Sequence, residues 1–359
     1  MPIEPLDDEV QLRRAGDLGQ LILNRPRSIN ALNHGMVRTL AATLAEWQAD
    51  DGVRTVLLSG AGERGLCAGG DIVAIYTAVL GGRDDALHFW ADEYALDAAI
   101  SRSPKPFVAL MDGLVLGGGI GLSAHSGIRV VTERTRVGMP EVSIGFFPDV
   151  GGTYLLAHAP GELGTHLGLT GGTATGADAI AMGMADHFVP SERLTELTAA
   201  LETRAAAEVV AEFAIDAPAS ELLAQRSWID ELYTGDDAEA ILERLAASPV
   251  PEAQEAAATI RSKSPTSVAI TLAALRRSVG LTSLEAALDQ DYRVATRVSR
   301  GTEVIEGIRA QVIDKDRNPQ WSPATLAEVA PATVEEYFAP LGDAELGLAT
   351  TPARMGTES

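Results

Sequence analysis

The 359-residue sequence has a single cysteine, Cys67, so it can form no internal disulfide and no metal site built from several cysteines. Positive charge is also scarce, with 28 lysines and arginines against 50 aspartates and glutamates. The resulting net charge of −22 repels polyanions and disfavours nucleic acid or an anionic membrane as a partner. No apolar run approaches a membrane span, and the acidic first residues contain no stretch of signal-peptide length. We therefore expect a cytoplasmic protein.

The chain is long enough for a large core, and its character changes near residue 204. Before that point, strand-like and helix-like segments alternate, which is typical of an α/β domain with parallel strands. Periodicity alone leaves open whether the sheet is open, wound or spiral. After that point, Ala, Glu, Leu and Arg dominate long helical patterns. We predict an α/β core at residues 1–203, a helical domain at 204–322 and a loosely attached tail at 323–359.

Two glycine-rich turns follow predicted strands. The first includes Gly70 and the second begins at Gly117 and Gly118. Each turn could present one backbone N–H to the same carbonyl oxygen, and such a pair of donors is an oxyanion hole. The alternatives are an ordinary N-cap by Asp71 in the first turn and a tight strand-to-helix joint in the second.

Two carboxylates lie in an otherwise apolar, glycine-bearing stretch at residues 139–152. Burial of Glu141 or Asp149 would raise its pKa and make it useful as a general base or acid near neutral pH. The alternatives are a first-turn acid after Pro140 for Glu141 and the N-cap of a helix at residues 153–159 for Asp149.

A third acid, Glu93, lies on an apolar stripe of the helix predicted over residues 84–101, where it is either buried or solvated at the rim. The sequence has no G-x-S-x-G, no H-E-x-x-H and no Walker lysine loop. Any chemistry must therefore use carboxylates and backbone amides, without a metal.

Five motifs occur in the order expected of one known superfamily. They are Asn24-Arg-Pro with Asn30-Ala-Leu, residues 53–62, residues 67–72, the glycine cluster at residues 117–121, and residues 139–153. Over roughly residues 10 to 200 the chain resembles the crotonase, or enoyl-CoA hydratase/isomerase, superfamily. The resemblance implies a spiral of repeated ββα units, a helical C-terminal domain, acyl-CoA thioester substrates and a trimer-based homo-oligomer. Coenzyme A would be part of the substrate, and no separate cofactor is expected.

Within the superfamily the chain is most similar to the 3-hydroxyisobutyryl-CoA hydrolases. Hydratases place a second catalytic glutamate two residues past the triple glycine, where this chain has Gly121, and they place a small residue where it has Asp149. Hydration of a C=C bond needs proton transfer at one carbon while water is activated at the other, so one carboxylate serves it poorly. The segment at residues 306–321 also resembles the C-terminal segment of the hydrolases.

The resemblance assigns roles to particular positions. The oxyanion hole would be formed by the amides of Gly70 and Gly118. The substrate-contacting positions of the hydrolases carry over to Glu93, Gly118, Glu141 and Asp149, which all hold the expected residue type.

Arg25 and Arg27 are candidates for the positive charge near the CoA phosphates, with ordinary surface arginines as the alternative. We expect hydrolysis of a short-chain β-hydroxyacyl-CoA thioester, namely 3-hydroxyisobutyryl-CoA, to 3-hydroxyisobutyrate and CoA, as in valine catabolism. The alternatives are an enoyl-CoA hydratase or isomerase of the same fold and a non-catalytic acyl-CoA-binding protein.

Overall fold

The computed structural model describes residues 9–82 and 84–350. Its strands are β1 (Val10–Ala15), β2 (Leu18–Leu23), β3 (Thr55–Gly60), β4 (Phe107–Met111), β5 (Leu114–Leu116), β6 (Ile128–Val131), β7 (Arg136–Gly138), β8 (Thr173–Thr175) and β9 (His187–Phe188).

The helices of the first 203 residues are α1 (His34–Ala49), α2 (Ile72–Gly81), α3 (Asp84–Ser101), α4 (Gly118–Ala124), α5 (Gly152–Ala157), α6 (Leu163–Thr170), α7 (Gly176–Ala181) and α8 (Leu194–Leu201). Those that follow are α9 (Ala206–Phe213), α10 (Glu221–Ala224), α11 (Arg226–Leu232), α12 (Ala238–Ala247), α13 (Pro251–Arg261), α14 (Pro265–Ser278), α15 (Leu284–Val298), α16 (Glu303–Ile308) and α17 (Pro331–Phe338). A 3₁₀ helix at Glu141–Ile144 and a π-helix at Arg309–Ile313 complete the elements near the site.

Among the described residues, six strands form the main sheet in the order β1-β2-β3-β4-β6-β9. The hairpin β1–β2 is antiparallel and every later pairing is parallel. Strand β4 is buried along its whole length, which matches its uninterrupted apolar sequence FVALM. A continuous apolar strand of this kind is typical of a parallel sheet covered on both faces.

A second sheet of three strands has the order β5-β7-β8, with β5 and β7 parallel. The chain passes from β4 to β5 and then into α4, and from β6 to β7 and then into helices again. Each passage places one strand in each sheet before a helix returns, so successive ββα units wind into a spiral. The expected crotonase-type α/β fold is confirmed.

Helix α1 illustrates how the local sequence sets an element. Its N-cap is Asn33, whose side chain accepts a hydrogen bond of 2.9 Å from the backbone N–H of Met36. Apolar residues recur at intervals of three and four, and the buried face includes Leu40, Leu44 and Trp47. The local sequence therefore accounts for both the helix and its cap.

The helical region packs back onto the spiral. Helix α15 packs against α3, α14 packs against α5 and α6, and α16 packs against α2 and the 3₁₀ helix. The two regions therefore share a buried face, and a site at that face can draw residues from both. No helix in the described residues combines the length and the hydrophobicity that a membrane span requires.

Within the stretch expected to be a loosely attached tail, residues 345–349 contact helix α15. Arg293 of α15 forms an ion pair of 2.9 Å with Glu345. Asp289 on the same helix accepts two backbone N–H groups from the end of this segment, at 2.8 and 3.0 Å. Sequence composition did not reveal these contacts because their partners lie about fifty residues earlier in the chain. The last residues, 351–359, and the acidic residues 1–8 lie outside the described part.

Candidate active site

A cavity of about 280 Å³ lies between the two glycine turns, the 3₁₀ helix and the helical region. Its apolar wall includes Ile72, Phe89, Trp90, Phe146, Val304 and Ile308. Its polar wall contains the predicted Gly70, Gly118, Glu93, Glu141 and Asp149. Five of the seven residues singled out in the sequence therefore meet in one cavity, although they are spread over 80 residues of chain.

The two glycine turns are held in register by a short parallel pairing of Cys67 with Val115. The backbone N–H of Leu116 donates to the carbonyl of Cys67 at 2.9 Å. Gly70 lies three residues after Cys67, and Gly118 lies three residues after Val115. The parallel pairing therefore aligns Gly70 with Gly118. The pairing is therefore what places the two amides beside each other.

Both amides are free to bind a ligand. The N–H groups of Gly70 and Gly118 have no hydrogen-bond acceptor within residues 9–82 and 84–350. The turns approach closely, since a Cβ built on Gly69 would lie 3.6 Å from the nitrogen of Gly118. Gly69 and Gly117 have φ values of 97° and 48°, which glycine adopts without strain. The arrangement can serve as an oxyanion hole.

Glu141 is the first residue of the 3₁₀ helix and points back at the second glycine turn. Its Oε1 would lie 2.6 Å from a Cβ placed on Gly117. Its Oε2 is buried and has no hydrogen-bond partner among the described residues. Burial, and then the charge of Asp149, raise the pKa of Glu141 well above its usual range. An unpartnered carboxylate with a raised pKa can act as a base or a nucleophile.

Asp149 is also buried, and Oδ2 of its carboxylate accepts a hydrogen bond of 2.7 Å from the hydroxyl of Tyr94. Burial raises its pKa to about 7, although the bond from Tyr94 works in the opposite direction. Near neutral pH such a group can both accept and donate a proton. The N-cap alternative is wrong, because α5 begins at Gly152 with Gly151 as its cap residue and with no side-chain cap.

Glu93 is buried, with 2% of its surface exposed, so the alternative of a solvated rim position is wrong. Its Oε1 has no hydrogen-bond partner in the described chain, and a Cβ added at Gly118 would overlap this oxygen. Burial raises its pKa well above the usual range, and the charges of Asp149, Asp97 and Glu141 add to the effect. Glu93 therefore lies against the oxyanion-hole residue Gly118, and Glu141 lies against the preceding residue, Gly117.

Sequence reasoning missed a fourth buried acid beside the cavity, Asp97. It lies one turn after Glu93 on α3, and neither of its carboxylate oxygens has a partner among the described residues. Its Oδ2 would lie 2.6 Å from a Cβ on Gly121, and the Cβ of Val150 would lie 2.8 Å from the same point. A side chain at position 121 would therefore clash with Asp97 and Val150. The spacing of four from Glu93 on one helix face was the available signal.

Asp291, on α15, is a fifth buried acid that the sequence did not reveal. Its Oδ2 accepts the backbone N–H of Gly151 at 2.8 Å. Burial raises its pKa well above the usual range, and the hydrogen bond from Gly151 partly offsets this. Its partner lies 140 residues earlier, so no local pattern could have marked it.

The two predicted arginines lie outside the cavity wall. Arg25 donates to Asp71 at 2.9 Å and to the carbonyl of Ala31 at 2.6 Å, so its guanidinium fixes the turn that follows Gly70. Arg27 is exposed on a 3₁₀ helix at Pro26–Ser28. Their contact with CoA phosphates stays a prediction.

In the part of the chain that the structure describes, no lysine or arginine lines the cavity. No group of three or more His, Cys, Asp or Glu side chains in the same part is arranged to hold a metal ion. The chemical groups on offer are carboxyls and two free amides, which suit acyl transfer.

The chain is similar to solved structures along nearly its whole length. A structure described as a carnitinyl-CoA dehydratase from Mycobacterium thermoresistibile is 52% identical, with a TM-score of 0.92, and the match covers 96% of this chain and 100% of that one. A structure described as an enoyl-CoA hydratase from Rhodobacter sphaeroides 2.4.1 is 39% identical, with a TM-score of 0.90, and the match covers 94% and 99%.

A curated relative supports the same placement. The protein named 3-hydroxyisobutyryl-CoA hydrolase, mitochondrial, from Xenopus tropicalis is 38% identical over 353 residues, which is 95% of this chain and 91% of that protein. Residues 18–338 match the family described as enoyl-CoA hydratase/isomerase. This match spans both the spiral and the helices that close the cavity, so the resemblance seen in the motifs is confirmed: the chain belongs to the enoyl-CoA hydratase/isomerase family.

Proposed function

We propose that the protein hydrolyses a short-chain β-hydroxyacyl-CoA thioester, 3-hydroxyisobutyryl-CoA, to 3-hydroxyisobutyrate and CoA. One observation carries the proposal: the carboxylate of Glu141, whose Oε2 has no hydrogen-bond partner among the described residues, lies beside the second glycine turn, and the amides of Gly70 and Gly118 are free. A base or nucleophile next to a pair of oxyanion donors is the arrangement that acyl transfer requires. The name of the Xenopus tropicalis relative supports the same reaction.

In the proposed mechanism the thioester carbonyl oxygen binds between the amides of Gly70 and Gly118. Negative charge develops on this oxygen as the carbonyl carbon becomes tetrahedral. Each preorganised donor contributes about 3 kcal/mol in the transition state. The mostly apolar walls of the cavity lower the local dielectric constant and strengthen these hydrogen bonds.

Glu141 can act by two routes. It attacks the carbonyl carbon to form a mixed anhydride with expulsion of the CoA thiolate, and water then cleaves the anhydride. Alternatively, it removes a proton from a water molecule that attacks the carbonyl carbon directly. In both routes Asp149, with a pKa of about 7, passes a proton to the departing sulfur. Glu93, with its free Oε1, binds the β-hydroxyl of the substrate.

Single turnover in ¹⁸O-labelled water tests the anhydride route. Label in the carboxylate of Glu141, found by mass spectrometry of the active-site peptide, establishes an anhydride that water opens at the glutamyl carbon. Label confined to the product acid means that water attacks the acyl carbon, either of the thioester or of the anhydride.

The function itself is tested by release of free thiol from a panel of acyl-CoA thioesters, followed with a thiol reagent. We expect release from 3-hydroxyisobutyryl-CoA and negligible hydration of crotonyl-CoA. Hydration or dehydration without thiol release would overturn the proposal.

The second candidate is a hydratase or dehydratase, which the descriptions of the two solved structures favour. Against it, position 121 is glycine and the space beside it is filled by Asp97. A glutamate side chain could therefore not occupy this space without displacing Asp97 or Val150. The same panel discriminates, because hydration consumes the C=C absorbance of an enoyl-CoA and releases no thiol.

We also propose a cytoplasmic location, a role in valine catabolism and a trimer-based homo-oligomer. Coenzyme A enters as part of the substrate, and the proposal needs no separate cofactor. Light scattering of the purified chain tests the oligomer, and a monomer in solution would refute it.

A further inference from the structure

The backbone just after Asp149 is held in an unfavourable conformation. Val150 has a φ of 51° and Gly151 a φ of 71°, so two consecutive residues are left-handed. A β-branched residue rarely adopts this conformation, and it persists only where surrounding contacts impose it. Such strain occurs beside functional groups, and Val150 directly follows Asp149.

Two side chains from distant elements hold the turn. Nε2 of His125, at the end of α4, lies 2.8 Å from the carbonyl oxygen of Val150. Oδ2 of Asp291, on α15, accepts the N–H of Gly151 at 2.8 Å. A Cβ on Gly151 would overlap Leu284, so the turn is also packed tightly. The backbone is therefore fixed from both the spiral and the helical region.

Asp291 is completely buried, and its second oxygen lies 3.4 Å from the hydroxyl of Thr153. Both oxygens thus face the segment that starts α5. Burying a carboxylate is unfavourable, so its presence here calls for a role that an apolar residue could not fill. An apolar side chain would leave the N–H of Gly151 without an acceptor.

We propose that Asp291 is a positioning residue for hydrolysis: by binding the N–H of Gly151, it fixes the strained turn and holds the carboxyl of Asp149 against the acyl site. This rests on the proposed function. Asp149 is then held at two points, by Tyr94 at its carboxylate and by Asp291 through the backbone two residues later. Asp291 thereby contributes to the reaction although it does not line the cavity.

The test compares Asp291→Ala and Asp291→Asn in the full chain. Asparagine keeps an oxygen that can accept the N–H of Gly151, whereas alanine does not. Because a misplacement of about 1 Å costs about 100-fold in rate, we expect Asp291→Ala to lower kcat by about 100-fold. KM should stay within about twofold, since neither Asp291 nor Gly151 lines the cavity. Asp291→Asn should recover most of the lost kcat.

Asp289→Ala is the matched control. Asp289 lies on the same helix, is also buried, and also accepts backbone N–H groups, from Leu348 and Ala349, but these belong to the C-terminal segment. We expect this variant to lose thermal stability and keep wild-type kcat. Equal losses of kcat in Asp289→Ala and Asp291→Ala, or no rescue by Asp291→Asn, would mean that Asp291 only stabilises the fold.

A crystal structure of Asp291→Ala decides the inference independently of any substrate. We expect Val150 to leave the left-handed region and the carboxylate of Asp149 to move away from Tyr94. An unchanged turn overturns the inference. If wild-type protein releases no thiol from any acyl-CoA, the proposed hydrolase fails, and this structure still tests whether Asp291 holds the turn.

Discussion

The hydroxyl of Tyr94 donates a hydrogen bond of 2.7 Å to Oδ2 of Asp149, and both residues are buried beside the same cavity. A donor to a carboxylate favours the ionised form and lowers its pKa. Burial acts more strongly and in the opposite direction, and the balance places the pKa of Asp149 at about 7. Tyr94 therefore keeps this acid within the range in which it can exchange protons near neutral pH.

Replacing Tyr94 with phenylalanine removes that donor. We predict that the pKa of Asp149 rises from about 7, because burial then acts without the opposing hydrogen bond. The limb of the pH profile of kcat/KM assigned to Asp149 should move to higher pH. Thiol release measured across the pH range checks this.

Tyr233→Phe is the control for Tyr94→Phe. Tyr233 is buried, and its hydroxyl lies 2.8 Å from Nδ1 of His166, outside the cavity wall. Its removal should leave the pH profile unchanged. If both variants shift the profile equally, Tyr94 has no specific effect on Asp149.

Glu141→Gln keeps the size of the side chain and removes the base. We predict that kcat falls about 10³-fold, because glutamine can neither take up a proton nor form an anhydride. Binding of a non-hydrolysable thioether analogue should persist. Glu303→Gln is the comparison, since Glu303 is another largely buried glutamate with a pKa raised by burial to about 7, outside the cavity wall. A purely binding protein would show no catalytic difference between the two variants.

The glycine turns predict unequal effects of added methyl groups. A Cβ on Gly118 would overlap Oε1 of Glu93, whereas one on Gly70 would lie 3.2 Å from the flexible end of Ile75. We expect Gly118→Ala to displace its amide and lower kcat by about 10²–10³-fold, the value of one oxyanion donor, and Gly70→Ala to lower it less. Gly127→Ala, with no atom within 4 Å of the added Cβ, should retain full activity. The reverse order of Gly118→Ala and Gly70→Ala would contradict the proposed geometry.

Asp97 predicts an unusual pH dependence of stability. Burial first, and then the charges of Asp149 and Asp291, raise its pKa well above the usual range. The stability that its neutral form contributes is fully present below the unfolded-state pKa of about 3.9 and is lost as the pH rises through the folded-state pKa. We therefore expect Asp97→Asn, which mimics the neutral acid, to match wild type near about pH 4 and to be more stable near about pH 8. Urea unfolding at both pH values measures the difference.

For Asp178 we expect the opposite pH dependence of stability, because its pKa is lowered. Burial opposes the shift, but hydrogen bonds from Ser220, Thr175 and Leu222 together lower its pKa. Its contribution to stability is present above the unfolded-state pKa and lost as the pH falls through the folded-state pKa. Asp178→Asn should therefore lose stability mainly near about pH 8. Parallel changes in Asp97→Asn and Asp178→Asn would contradict the assigned shifts.

Much of the fold could be predicted from the sequence because its causes are local. The cap at Asn33, the apolar spacing of α1 and the unbroken apolar run of β4 each act within one element. The glycines of both turns were identifiable because left-handed backbone at Gly69 and Gly117 requires them. The order of the five motifs, through the resemblance to the crotonase superfamily, then predicted the spiral of ββα units.

The burial of Glu93 could not be predicted in the same way. Its position on the apolar stripe of α3 was readable, but whether that stripe faces protein or solvent depends on the elements that pack against it, such as α4, whose first residue Gly118 lies against Glu93. Asp291 was missed because its partner Gly151 lies 140 residues earlier in the chain, and the periodicity of α15 contains no information about packing between regions.

The sequence by itself determined which residues could carry the chemistry: glutamates and an aspartate in apolar surroundings, glycines at turns, and a lack of nucleophile and metal motifs. Only the tertiary structure decided their chemical state. A carboxyl acquires a raised pKa when other elements remove its water and bring further acids close to it, as burial and then the charges of Asp149 and Asp291 do for Asp97. The desolvation of a carboxyl depends on residues that are distant in sequence and meet only in the assembled cavity. A single stretch of sequence therefore does not predict it.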